Sequence, residues 1–268
     1  MRIGNKDFQI SGHTYVMGIL NVTPDSFSDG GRWNQLDHAL SHAESMIKEG
    51  AAILDIGGES TRPGYTKISD EEEISRVVPV IEAIKSRFDI PISVDTYKSA
   101  VAKAAIAAGA DLINDIWGLK ADAEMATVIA HAQVPSCLMH NRKQAVYNNF
   151  LEDVVSDLKE TLDIAKKAGI SQDTIILDPG VGFAKSYEQN LAITNHLEVL
   201  DKLGCPVLLG TSRKSMIGLT LDLPSDQREE GTMVTTVWAV QKGCMFVRVH
   251  NVQANVRAIK MAEALLRK

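Results

Sequence analysis

Residues 15–21 read YVMGILN, an apolar run closed by an amide. Such a run reads as a strand buried on both faces. Seven more runs of the same kind follow: AILDIGG (52–58), PISVDT (91–96), DLINDI (111–116), SCLMHN (136–141), TIILDPG (174–180), PVLLGTS (206–212) and MFVRVHN (245–251). Strands that are apolar nearly throughout belong to a parallel sheet covered by helices, because an antiparallel sheet with one wet face would alternate.

Helical segments fit the gaps. The segment 36–49 stops before Gly50, and Ser69, with Glu72 three residues on, can cap a helix carrying Ile74, Val77, Val78, Ile81 and Ile84 on one face. Pro79 lies inside that pattern and is expected to kink or break it. Segments 99–108, 151–168 and 189–203 each end at a glycine, and 252–268 closes the chain with another apolar stripe. Eight strands with intervening helices fill about the 250 residues of a (β/α)8 TIM barrel. An open doubly wound sheet is the alternative, but its glycine fingerprint is missing. Residues 2–11, RIGNKDFQIS, alternate weakly and suit a short N-terminal hairpin under the barrel, and no linker interrupts residues 1–268, so one domain is expected.

Composition narrows the function classes. A net charge of −6 argues against a broad nucleic-acid surface. No run approaches the roughly 18 apolar residues of a membrane span, and the first residues lack a signal-peptide core. Cys137, Cys205 and Cys244 are far apart, without a CxxC pair, and read as reduced core residues of a cytoplasmic protein.

Polar residues then stand at the carboxyl end of every run: Asn21, Glu59, Asp95, Asn114 with Asp115, His140 with Asn141, Asp178, Ser212 to Lys214, and Arg248 with His250. One such residue serves equally well as the cap of the next helix. All eight together converge on the barrel mouth where active sites form. Lys214, Arg248 and His250 bring donors to the last two strands, a usual place for phosphate, although GTSRKS lacks the Walker frame. Asp95, Asn114 and Asp178 suit a flat heterocycle rich in N–H donors. No HExxH or acidic cluster marks a permanent metal site, but Mg²⁺ held by substrate phosphates and an amide such as Asn21 fits. Directly after the first strand, NVTPDSFSDGGRW (21–33) is denser in hydrogen-bonding groups than a connector needs.

The motifs MGILNVTPDSFSDGG, LDIGGESTRPG, SVDT, INDI, DPGVGF, GTSRKS and VRVH occur in that order between residues 17 and 250. In them the chain resembles the dihydropteroate synthases of folate biosynthesis. Two positions depart from the usual family pattern: MHNRK, where Met-His-Met is common, and Asn251, where many members carry Asp. The resemblance implies a (β/α)8 barrel, a cytoplasmic homodimer and the target of sulfonamides. It implies condensation of a dihydropterin diphosphate with p-aminobenzoate, aided by Mg²⁺ with Asn21 as its ligand. It places Asp95, Asn114, Asp178 and Lys214 around the pterin, Asn21, Arg248 and His250 at the diphosphate, and Met139 and Phe183 among the substrate-binding residues. Phe27, Thr61, Arg62, Pro63 and Ser215 would meet p-aminobenzoate, and Asp29 would stabilise a cation formed as diphosphate leaves. Asp29, Lys214, Arg248 and His250 are thus the catalytic candidates, and the loops holding Asp29 and Pro63 are expected to close as lids. Two other readings stay open: a pterin-binding methyltransferase, which has little use for Arg248 with His250, and a pterin-binding protein without activity.

Overall fold

Eight parallel strands form the centre of the protein, seen in a computed structural model that describes residues 1–23, 32–60 and 66–266. They are β3 (Tyr15–Asn21), β4 (Ile53–Gly57), β5 (Ile92–Asp95), β6 (Leu112–Asp115), β7 (Ser136–Met139), β8 (Ile175–Asp178), β9 (Leu208–Leu209) and β10 (Phe246–Val249). Their order, β8-β7-β6-β5-β4-β3-β10-β9, brings the two ends of the sheet together. One bridge between Leu177 and Val207, with the Leu177 N–H donating to the Pro206 carbonyl at 2.9 Å, joins them into a ring. The barrel expected from the apolar runs is therefore present.

Alternation along each strand divides the core in two. Leu20, Leu54, Ile56, Val94, Ile113, Leu138 and Val247 face the helices, while Met17, Ile53, Leu112, Cys137, Ile176, Leu208 and Phe246 fill the lower barrel. The N-terminal hairpin, β1 (Arg2–Ile3) with antiparallel β2 (Lys6–Asp7), adds Ile3 and Phe8 to that lower cluster, so it plugs the amino end of the ring. Apolar plugging there leaves the opposite end for chemistry.

Helices follow the strands: α1 (Arg32–Glu49), α2 (Asp70–Arg87), α3 (Ser99–Ala107), α4 (Met125–Ala132), α5 (Phe150–Ala168), α6 (Tyr187–Asn195), α7 (Ser215–Leu221), α8 (Glu229–Gln241) and α9 (Val252–Leu266). Gly169, at φ +89°, ends α5 in the left-handed conformation that a residue with a side chain adopts only at a cost. The Ser69 hydroxyl accepts from the Glu72 N–H at the start of α2, as its spacing predicts. Two helix expectations are corrected. The break expected at Pro79 is absent, since α2 runs through it; Pro79 and Ser75, whose carbonyl loses its donor, are exposed, while Val77, Val80, Ile81 and Ile84 stay buried. The segment 189–203 is not one helix; α6 ends at Asn195 and a 3₁₀ stretch, Leu197–Leu203, continues to Gly204. Among the described residues no helix is long and apolar enough to cross a membrane. The three cysteines are free and buried, as expected of core residues.

Candidate active site

At the carboxyl end of the ring one register row runs across four strands: Asn21 on β3, Gly57 on β4, Asp95 on β5 and Asn114 on β6. Arg248 reaches this row from β10. Its Nε donates to Asp55 Oδ2 at 2.5 Å and its Nη2 to Asp95 Oδ2 at 2.7 Å, while Asn114 donates to the same Asp55 oxygen at 3.2 Å. Asp55 was not among the residues expected from the sequence. It lies two residues before Gly57 on β4 and so faces the same interior, and that period of two was the signal that could have found it.

One guanidinium between two buried carboxyls leaves them short of positive charge. Burial pushes the Asp95 carboxyl up to about 7; Arg248 opposes the shift, and Asp55 and Glu73 add to it. Among the described residues, Asp55 Oδ1 and Asp95 Oδ1 are buried without a hydrogen-bond partner. Buried acceptors of this kind are costly unless a ligand supplies donors.

Across the mouth stands a second group. Asp178, at the end of β8, accepts the Gly180 N–H at 2.7 Å, and burial raises its carboxyl despite the opposing charge of Lys214. Lys214 donates to the Val181 carbonyl, its Nζ lies 4.8 Å from the centre of the Phe183 ring, and burial lowers its ammonium to about 8. Met139 packs with Tyr97 and Ile116, and Phe183 and Trp117 join them, giving an apolar wall beside Asn114 and Asp178. Gly210 keeps the floor open. A β-carbon there would stand 3.5 Å from Asp178 Oδ2, 3.9 Å from Lys214 Nζ and 4.0 Å from the Arg248 β-carbon. The structure thus brings Asp95, Asn114, Met139, Asp178, Phe183, Lys214 and Arg248 into one mouth.

Other expected residues lie at its edge or beyond description. His250 Nδ1 pairs with the Ser212 hydroxyl at 2.9 Å, and Ser215 opens α7 as an exposed residue. Asn21 ends β3, where its Oδ1 would lie 3.5 Å from a β-carbon on Gly57. Phe27, Asp29, Thr61, Arg62 and Pro63, and with them the two expected lids, lie outside the described residues.

Three strand-end residues that looked like mouth residues serve the scaffold instead. Asp115 accepts the N–H groups of Trp117 and Leu119 at 2.8 and 2.7 Å, the capping role available to any strand-end Asp. Glu59 accepts from the Tyr97 hydroxyl, Lys98 Nζ and the Ile68 N–H, each within 2.9 Å. Lys98 also pairs with buried Glu73 at 2.8 Å, tying the end of β4 to α2 and α3. His140 is buried and bonded to Asp157 Oδ2 at 2.9 Å and Lys185 Nζ at 2.8 Å. Burial and the Lys185 charge hold its imidazole down to about 3, so it is neutral at physiological pH.

A parallel barrel with donors and acceptors of this kind at its mouth is found in a known class of proteins. The chain belongs to the family of pterin-binding enzymes, whose family model matches residues 17–250. Among its relatives, the dihydropteroate synthase of Clostridium beijerinckii is 60% identical over 269 aligned residues, covering 100% of both chains. A dihydropteroate synthase from Clostridium difficile, crystallised in the presence of pteroic acid, superposes with a TM-score of 0.94 at 46% identity and covers 100% of both chains. The Xanthomonas albilineans dihydropteroate synthase with 4-aminobenzoic acid gives a TM-score of 0.91 at 43% identity, covering 96% of this chain and 94% of that one.

Proposed function

We propose that this pterin-binding enzyme is a dihydropteroate synthase, joining 6-hydroxymethyl-7,8-dihydropterin diphosphate to p-aminobenzoate and releasing diphosphate and 7,8-dihydropteroate. The observation that carries the reading is the pair of buried, unpartnered carboxylate oxygens on Asp55 and Asp95, set beside Asn114 and Asp178. A pterin presents ring N–H and amino donors along one edge, and an opposed carboxylate accepts two at once. Asp178 and Asp95 take that edge, Asn114 supplies both a donor and an acceptor, and Lys214 donates to a ring acceptor. Met139 and Phe183 bound the faces of the ring.

In the reaction the bond from the pterin methylene to diphosphate breaks and a bond to the arylamine nitrogen forms, with loss of one amine proton. The electron-rich ring delocalises positive charge at the methylene, so leaving-group departure runs ahead of amine attack. Burial raises the Asp95 and Asp178 carboxyls, and a positive charge growing on the ring beside them favours their charged forms and is stabilised by them. Arg248, His250 and Asn21 hold the diphosphate, and Asp29 faces the developing cation. Phe27, Thr61, Arg62, Pro63 and Ser215 receive p-aminobenzoate, for which sulfonamides compete. Mg²⁺ brought in with the diphosphate would be held by the Asn21 amide oxygen together with phosphate oxygens and water, and would supply neutralisation of charge on the leaving group. A homodimer working in the cytoplasm completes the reading.

The direct test is incubation with the pterin diphosphate, labelled p-aminobenzoate and Mg²⁺. Labelled dihydropteroate is the expected product, and its absence across a range of conditions would overturn the assignment.

Two substitutions probe the pocket. Asp178→Asn keeps the shape but turns an amide NH₂ toward a ring donor and removes the charge. The pterin should then bind more weakly by about 1.5–3 kcal/mol, the worth of a charged hydrogen bond. Calorimetry that finds equal affinities removes Asp178 from the pocket. Gly210→Ala introduces a methyl at ordinary contact distance from Asp178, Lys214 and Arg248, so the chain tolerates it while the ligand space shrinks. Unchanged thermal stability with lower pterin affinity is the expected pair of results; unchanged affinity would mean the ligand does not approach β9.

A further inference from the structure

Lys185 is not among the residues to which the reading above gives a part, yet it is tied to the pterin wall. It lies just past the DPGVGF turn, and its Nζ donates back to the carbonyls of Gly180 at 2.9 Å and Phe183 at 3.1 Å. The third contact of that nitrogen is His140 Nδ1 at 2.8 Å. Because Nδ1 accepts from the ammonium, the imidazole proton resides on Nε2 and points to Asp157 Oδ2. Arg142 grips the same carboxylate through Nε at 2.6 Å, fixing it on α5. The turn itself has no slack: Gly180 stands at φ +72°, and a β-carbon there would collide with the His140 carbonyl. Asn190 holds the Gly182 N–H at 2.6 Å, and Lys214 holds the Val181 carbonyl. Lys185 is a strut on two more carbonyls of the turn, that of Gly180, which also accepts the Phe183 N–H at 3.1 Å, and that of Phe183.

We propose that Lys185 is a positioning residue for pterin recognition, setting Asp178 and Phe183 through the Gly180 and Phe183 carbonyls and itself aimed by the His140–Asp157 pair. The inference rests on the pterin reading of the mouth. Burial lowers the Lys185 ammonium to about 7, so the fold holds this cation at a cost, consistent with a directional task.

The experiment compares wild type, Lys185→Met and Asp157→Asn by steady-state kinetics with both substrates and by calorimetry with a free pterin. Methionine keeps the stem and removes the donors; Asp157→Asn acts two links away and keeps the test alive should the first variant not fold. The expected result is a KM for pterin diphosphate raised about tenfold in Lys185→Met, a smaller rise in Asp157→Asn, and an unchanged KM for p-aminobenzoate. Free pterin affinity falls in parallel. A role confined to holding the fold would lower thermal stability and leave both KM values alone, and that outcome overturns the proposal. Equal rises in both KM values overturn it as well, since the effect would not be specific to the pterin. Wild-type protein that binds no pterin overturns the reading of the mouth itself and this inference with it.

Discussion

Arg248→Ala should abolish turnover and destabilise the fold by about 3–5 kcal/mol, the cost of removing one partner from a buried charge pair. Its guanidinium bridges Asp55, which has no exposed surface, and Asp95, which has 9%, so the variant leaves two carboxyls buried without a cation. Such a loss is a large share of the stability of a typical domain. The pH dependence fixes the cause. Arg248 opposes the upward shift of the Asp95 carboxyl, so without the guanidinium the folded state binds a proton there more tightly and the variant should gain stability relative to wild type as pH falls. Adding Asp55→Asn should restore part of the loss, because one buried charge goes. Denaturant titrations of the single and double variants measure this, and a loss below about 1 kcal/mol would mean the carboxyls are hydrated. If Arg248 also holds diphosphate, its removal should weaken binding of the pterin diphosphate more than binding of the free pterin.

The second large effect is expected at Lys98, away from the mouth. Its ammonium lies between Glu59 and Glu73, with side chains 3% and 1% exposed. Burial pushes the Glu59 carboxyl up, but bonds from Lys98, the Ile68 N–H and Tyr97 outweigh it and hold the group below its ordinary value. Burial likewise works against the Lys98 charge, yet the two glutamates raise it. The Glu59 contribution is present above its unfolded pKa and is lost as pH falls through the lower folded one. The Lys98 contribution is present below its unfolded pKa and is lost as pH rises through the higher folded one. Both hold at neutral pH. Lys98→Met should therefore cost about 3–5 kcal/mol at pH 7. The gap to wild type should narrow toward pH 5, as the stranded glutamates take up protons. A gap that stays constant with pH would show that lost packing, not charge, is responsible.

Much of this molecule could be read from its chain, for physical reasons that differ by element. Runs such as YVMGILN are legible because a strand buried on both faces has to be apolar throughout, and their order along the chain makes the barrel. The hairpin at residues 2–7 was legible because Gly4 and Asn5 make a turn between Ile3 and the polar pair Lys6 and Asp7, with apolar Phe8 just beyond. Pro79 misled because propensity does not know which face of a helix meets water, and 189–203 misled because a 3₁₀ stretch keeps nearly the apolar spacing of an α-helix. At the mouth, Asp95, Asn114, Asp178 and Arg248 were found by standing near the carboxyl ends of their runs. Asp55 was missed because it sits two places deeper, where position in the run gives no hint and only the inward period of two would. Glu59, Asp115 and His140 stood in the right places, but their partners Lys98, the 117–119 turn and Asp157 come from elsewhere in the fold. Strand-end chemistry narrows the candidates; three-dimensional pairing decides which of them face a ligand.

Eleven residues of β8, β9 and the turn after them, 206–212 with 175–178, form the joint of the barrel, where a single bridge and one short strand of two residues close the ring. The cylinder is thus a hoop with a clasp rather than a seamless band. Asp178 ends the stave on one side of that clasp, while Gly210 and Lys214 follow the stave on the other. On the proposed reading a pterin held by Asp178 and Lys214 would span the joint, so part of its binding energy would act to keep the ring shut. Backbone amides beside the joint, Leu177 first among them, are then the ones whose exchange with solvent slows most when the mouth is filled.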